Sequence, residues 1–201
     1  MKGDAGMDMI PFSLKREYFQ SREHSYLVDM WFGTKGGYHI TGGGRTIPRE
    51  LAGTASLMEE CGLGRSRAKK GVQWMYDKGW LTSDAERKTY RVELPRDAPF
   101  VKVRRDTCRE IVGALDERQV RAYLWCKQRK RLAEIREETC EVAPVWLVRD
   151  LGLSECNNNR AGIARTLGEL EGMGLIETEA SPYGKMTIVR KVAEEWKRSA
   201  T

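Results

Sequence analysis

Hydrophobic and polar positions along the chain fall into short helical stripes separated by glycine-marked turns. The clearest stripe lies between residues 61 and 94. With Val72 as origin and about 100° per residue, Ala68, Val72, Met75 and Gly79 share one narrow face of a helix predicted over 65–79. Ser66, Arg67, Lys70, Gln73 and Trp74 fall on the opposite face, so Trp74 is expected to point outward. A shorter helix, Thr54–Cys61, precedes it and ends at Gly62, and residues 81–94 read as two short strands around a charged turn. Further upstream, 21–33 reads as a helix with Ser21 as N-cap, Gly33 as stop and Tyr26, Leu27, Met30 and Trp31 as its buried stripe. Residues 1–20 lack periodicity and read as an irregular arm.

The pattern then repeats. Pro95 and Pro99 bracket a boundary, Phe100 to Val103 reads as a strand, and Asp116 caps a helix running through Arg131. Pro144 opens a short helix to Leu151. Beyond a turn around Asn157 to Asn159, a helix from Arg160 places Ile163, Leu167 and Leu170 where Ala68, Val72 and Met75 stand in the first copy. Gly174-Leu175-Ile176 matches Gly79-Trp80-Leu81, and a hairpin with a Pro182-Tyr183-Gly184 turn closes the second copy. The repeat lies in layout rather than identity, with a turn five residues longer in the second copy. The predicted architecture is α+β, mainly α, with an arm over 1–20, one unit over 21–95, a linker over 96–99 and a second unit over 100–201.

Composition removes several function classes. The chain has 201 residues, 40% hydrophobic and 32% charged, the balance of a soluble globular protein. No apolar run approaches the roughly 20 residues of a membrane span, and the N-terminus lacks the apolar core of a secretory signal. A cytoplasmic location, with no membrane contact, is expected. Cysteines at 61, 108, 126, 140 and 156 are odd in number and form no Cys-x-x-Cys pair, so reduced thiols are expected. Cys61 reads as a structural thiol, although a neighbouring Arg65 can acidify one. The only two histidines, His24 and His39, have no partners at ligand spacing, so neither metal nor cofactor is expected. Gly42, Gly43 and Gly44 precede Arg45-Thr46 without the G-x-x-x-x-G-K-[ST] spacing of a phosphate loop and read as a flexible loop. No nucleophile–histidine–acid set is evident, which argues against an enzyme.

Charge placement adds the most. Residues 65–91 hold eight basic and three acidic side chains, an excess of five out of the whole chain's net +6. Residues 145–192 hold six of each. A basic, amide-bearing helix face suits a DNA major groove, where cations neutralise phosphates and Arg or Gln reads base edges. Arg67, Lys70 and Gln73 are the candidate base readers. Arg65, Ser66, Lys69, Arg87, Lys88 and Arg91 are candidate backbone contacts. The second helix presents Ala161, Gly162, Arg165, Gly168, Glu169 and Gly172, a smooth neutral surface. It is expected to serve dimerisation, a partner protein or a lighter phosphate contact through Arg160, Arg165 and Lys185.

Helix, turn, helix and basic hairpin is the order of a winged helix. The run Gly62-Leu-Gly-Arg-Ser-Arg67, with Met75 and Lys78-Gly-Trp-Leu81, resembles the helix-turn-helix of bacterial winged-helix DNA-binding proteins, and so does the run from Leu170 to Glu179. Together with the Phe100–Val103 strand, the tandem arrangement resembles plasmid and phage replication initiators of the Rep type. That resemblance implies two winged helix-turn-helix domains acting on double-stranded DNA in replication initiation or transcriptional regulation. In such proteins one module reads the DNA repeat while the other binds DNA or mediates dimerisation. The alternative is a winged-helix adaptor that captures a protein partner in a phage, plasmid or chromosome-maintenance complex.

Overall fold

The computed structural model describes residues 9–35, 37–38, 45–93, 100–182 and 186–197. The expectations for His39, Gly42–44, the Pro95–Pro99 boundary and the Tyr183–Lys185 turn lie outside the described residues. In chain order the first half contains β1 (Met9–Ser13), α1 (Arg16–Gln20), α2 (Tyr26–Lys35), β2 (Gly37–Tyr38), β3 (Arg45–Pro48) and a 3-10 turn (Arg49–Leu51). It continues with α3 (Thr54–Cys61), α4 (Arg65–Asp77) and the hairpin β4 (Leu81–Asp84) and β5 (Thr89–Val92). The second half contains β6 (Phe100–Arg104), α5 (Arg105–Val112), α6 (Glu117–Arg136), β7 (Glu141–Val142), α7 (Pro144–Asp150), α8 (Asn157–Gly172), β8 (Ile176–Ala180) and β9 (Thr187–Val192). The fold is α+β with helices in the majority, and among the described residues no helix is long and apolar enough to cross a membrane.

Helix α2 is buried on nearly every side: Tyr26, Leu27, Val28, Met30, Trp31 and Phe32 are all inaccessible. Its sequence is accordingly apolar almost all round, the composition of a central helix. α3, α4, α5, α6, β1 and β3 pack against it. Ser21 is not its N-cap. The Ser21 hydroxyl accepts hydrogen bonds from the Glu23 and His24 amides and shapes a tight turn, and α2 begins at Tyr26. Gly33 lies inside the helix rather than beyond it, and a Cβ there would meet Ile10 of β1 at 2.8 Å. Within the expected arm, Met9–Ser13 and Arg16–Gln20 form β1 and α1, with Ile10, Phe12, Tyr18 and Phe19 buried.

Apart from β2, which adds a fourth strand beside β3, the two halves share the run helix, strand, helix, helix, strand, strand from α2 and from α6, and order those antiparallel strands alike. Strand β3 pairs with β5 and β5 with β4 in the first; β7 pairs with β9 and β9 with β8 in the second. The turns agree in their closing bond. Gly62 and Gly152 adopt positive φ after α3 and α7, and the Leu63 and Leu153 amides donate back to Met58 and Val148. Gly79 and Gly174 do the same after α4 and α8, with Trp80 and Leu175 donating to Met75 and Leu170. These are Schellman closures, which need a residue free of a Cβ penalty in the left-handed region. Two of the five extra residues in the second copy lengthen the turn, since Gly62 leads Arg65 by three positions and Gly152 leads Asn157 by five. The other three extend the helix: α8 has 16 residues against 13 in α4 and starts at Asn157, not Arg160.

The halves are joined by more than the covalent chain. β1 pairs antiparallel with β6, Ile10 opposite Val103 and Phe12 opposite Val101, and α5 packs on α2. α6 starts with the predicted Asp116 cap, a reciprocal capping box with Gln119. Its first residue, Glu117, is buried and reaches into the other half. The carboxylate accepts from the Tyr26 amide at 3.0 Å, the Leu27 amide at 3.1 Å and the Ser25 hydroxyl at 2.8 Å, capping α2 from about 90 residues away. Arg121, one turn on, pairs with Glu117 and donates to the carbonyls of Phe19, Ser21 and His24. A buried ion pair is costly unless its remaining hydrogen-bonding capacity is used, and here the Glu117 carboxylate accepts four hydrogen bonds and Arg121 donates four.

Candidate nucleic-acid interface

Helix α4 is held by one close crossing. Gly71 lies against α2, where a Cβ would sit 2.8 Å from Val28 Cγ2 and 3.2 Å from Ser25 Cβ. Ala68, Gly71 and Met75 are buried there and Val72 is half-buried, so the predicted inner face holds. Gly79 is exposed and belongs to the turn. Arg65, Ser66, Arg67, Lys69, Lys70, Gln73 and Asp77 are exposed along the rest of the helix.

Trp74 corrects the expectation of an outward face. It is 6% exposed, stacked on His24 with ring centroids 4.1 Å apart, and it meets Tyr18 and Trp80 edge to face at 5.4 and 5.0 Å. α1 and the turn that follows it cover the side of α4 that the local period leaves bare. His24 Nε2 in turn lies 2.5 Å from Asp29 Oδ2, so this histidine belongs to the core.

The candidate cations divide by whether they are already neutralised. Arg65, Arg67, Lys69 and Lys70 have no carboxylate partner among the described residues. In the β4–β5 hairpin, Arg87 lies 3.7 Å from Asp84, and Arg91 pairs with Glu93 at 2.5 Å. Lys88 sits at the tip with φ 50, its carbonyl accepting from the Arg49 amide. Gln73 donates to Asp77 at 2.8 Å, which leaves its amide oxygen available. On the second half, Arg160 lies 3.7 Å from Glu155, and Arg165 lies 3.7 Å from Glu169. Lys185 is outside the described residues. Among the described candidate cations, those without a carboxylate partner are thus Lys88 at the hairpin tip and the four on the first two turns of α4.

The outer surface of α8 is as expected in character and longer in extent. Ala161, Arg165, Gly168, Glu169 and Gly172 are exposed, and so are Asn157, Asn158, Arg160 and Ala164. Gly162 is half-buried because the Arg118 guanidinium from α6 lies over it, 3.3 Å from where a Cβ would stand.

The two thiols beside the turns behave oppositely. Cys61 is buried against α2, its Sγ donating to the Leu27 carbonyl, and burial pushes the thiol up to about 12, which corrects the idea that Arg65 could acidify it. Cys156 is exposed at the N-cap of α8. The Asn159 backbone N–H, followed by the Ser154 hydroxyl, holds its thiol below the usual cysteine range.

Compared with protein-family models, curated proteins and solved structures, the chain gives no significant match. The candidate site therefore rests on its own geometry. That geometry also brings forward two residues with no signal in the sequence pattern, Arg22 and Arg118. Both are exposed, lack an ion-pair partner among the described residues, and line one cleft with Arg67. They are nearly 100 residues apart in the chain, so no local periodicity could have grouped them.

Proposed function

We propose that the chain is a sequence-specific double-stranded DNA-binding protein built from two winged helix-turn-helix units in tandem. Its setting would be replication initiation or transcriptional regulation in a bacterial, plasmid or phage replicon. The observation that carries this reading is the run Arg65, Arg67, Lys69 and Lys70, four exposed cations at the start of α4 with no carboxylate partner among the described residues. Helix-turn-helix proteins place the N-terminal residues of the second helix against base edges. Lys70 and Gln73 then serve as readers, with Arg65, Ser66 and Lys69 on phosphates and Lys88 on the backbone from the hairpin tip. Arg67 faces the cleft between the units, which suits a phosphate contact better than base reading.

A second reading, capture of a protein partner or a second copy of the chain through α8, draws on one observation. The outer surface of α8 is small and its charges are satisfied by Glu155 and Glu169. Both readings need no catalytic group.

Fluorescence anisotropy with random genomic duplex at two salt concentrations tests the first reading. Wild type is expected to bind with strong salt dependence, and Arg65→Ala/Lys70→Ala to weaken binding by about tenfold or more at low salt. Absence of binding by folded wild-type protein at low salt overturns it.

A further inference from the structure

The turn between α1 and α2 forms a saddle between the two units. It lines one cleft together with Arg67 near the start of α4 on one side and, on the other, with Leu151 and Leu153 of the turn between α7 and α8. Gln20 fixes the second contact, donating to the Arg149 carbonyl at 3.3 Å and lying 3.2 Å from where a Cβ on Gly152 would be. The result is an open cleft of about 330 Å³, and α4 begins on one flank of it while the turn leading into α8 forms the other.

Four arginines border this cleft: Arg22, Arg67, Arg118 and Arg121. Arg121 is spent, paired with Glu117 and bound to three backbone carbonyls. The Glu117 carboxylate is equally spent on Arg121 and the start of α2, and so cannot neutralise the others. Arg22, Arg67 and Arg118 come from three separate elements, all are exposed, and none has a carboxylate partner among the described residues. Arg118 lies over Gly162 of α8, its guanidinium 3.3 Å from where a Cβ would stand. Three uncompensated guanidiniums facing one opening, on a base of already satisfied groups, form an anion site with bidentate donors suited to phosphate.

We infer that this inter-unit cleft holds a DNA backbone strand, with Arg22, Arg67 and Arg118 on its phosphates, and that it seats both units on one duplex. The inference rests on the DNA-binding reading and adds to it two residues, Arg22 and Arg118, outside both helix-turn-helix faces. It also gives the second unit a place on the DNA that does not depend on the smooth face of α8.

The test compares wild type with Arg22→Ala/Arg118→Ala and with the control Arg131→Ala/Arg136→Ala. The control removes the same charge from the far end of α6, where Arg136 lies about 27 Å from Arg118 at 1.5 Å per residue. All three are checked for an unchanged circular dichroism spectrum and then titrated with random genomic duplex across a salt series. The cleft pair is expected to weaken binding by about tenfold and to lower the slope of log Kd against log salt by about two, with the control near wild type. Wild-type-like binding and slope for the cleft pair would overturn the cleft assignment while leaving the DNA-binding reading intact. Equal weakening by both pairs would overturn it as a general charge effect. If wild type does not bind duplex, both readings fall together.

Discussion

Gly71 shows how a single residue sets the position of the candidate reading helix. Adding a Cβ there brings a carbon within 2.8 Å of Val28 Cγ2, and Val28 is itself wholly buried, so the contact cannot relax by turning a side chain into solvent. Gly71→Ala is expected to lower stability by about 1–3 kcal/mol, as overpacked cores do, despite the better helix propensity of alanine. Val28→Ala is expected to cost stability alone but to restore part of the loss when combined with Gly71→Ala. Urea unfolding of the two single variants and the double variant measures the coupling; strict additivity would show that the crossing has slack. The glycine is visible in the sequence, yet its purpose is not, because the residue that requires it stands 43 positions earlier.

At the scale of elements, the local period placed most of α4 correctly and failed at Trp74 for an identifiable reason. Ala68 and Met75 are inside, and Arg65, Ser66, Lys69, Lys70 and Gln73 outside, because α2, α3 and β4 all pack on the same side of the helix. Trp74 is inside because α1 supplies a second wall, and nothing near residue 74 announces an element that begins at Arg16. Asp116 as a cap and Pro144 as a first-turn residue were legible since their chemistry is complete within a single turn of helix. The start of α8 was not, because Cys156 stands where an oxygen-bearing cap is usual. That substitution has a measurable result. With its thiol lowered by the Asn159 N–H and the Ser154 hydroxyl, Cys156 carries more thiolate at neutral pH than an ordinary cysteine. Iodoacetamide is expected to modify Cys156 first, with a rate that rises at lower pH than for a free cysteine peptide, while buried Cys61, Cys108, Cys126 and Cys140 stay protected. Peptide mapping after brief labelling at several pH values reads this directly; first labelling at Cys61 would contradict the assignment.

For the molecule as a whole, Glu117 matters more than any surface charge. Removing its carboxylate would strand the buried Arg121 guanidinium and uncap α2 in the same step. Glu117→Ala is expected to destabilise the protein by about 3–5 kcal/mol, the range for breaking one side of a buried ion pair. A loss below about 1 kcal/mol in urea unfolding would mean that water replaces the carboxylate. Such long-range bonds are invisible to pattern reading. Glu117 looks like an ordinary first-turn acid, and Arg22 and Arg118 look like ordinary surface arginines, until the saddle between the units brings them together.

The pairing of β1 with β6 and the capping of α2 by Glu117 also order events during synthesis. When the ribosome has completed α4 and its hairpin, the strand that shields β1 and the carboxylate that finishes α2 have not yet been made. The nascent first half must therefore wait, with an unpaired strand and an uncapped central helix, until α6 emerges. Helix α4 is translated early but reaches its final scaffold late.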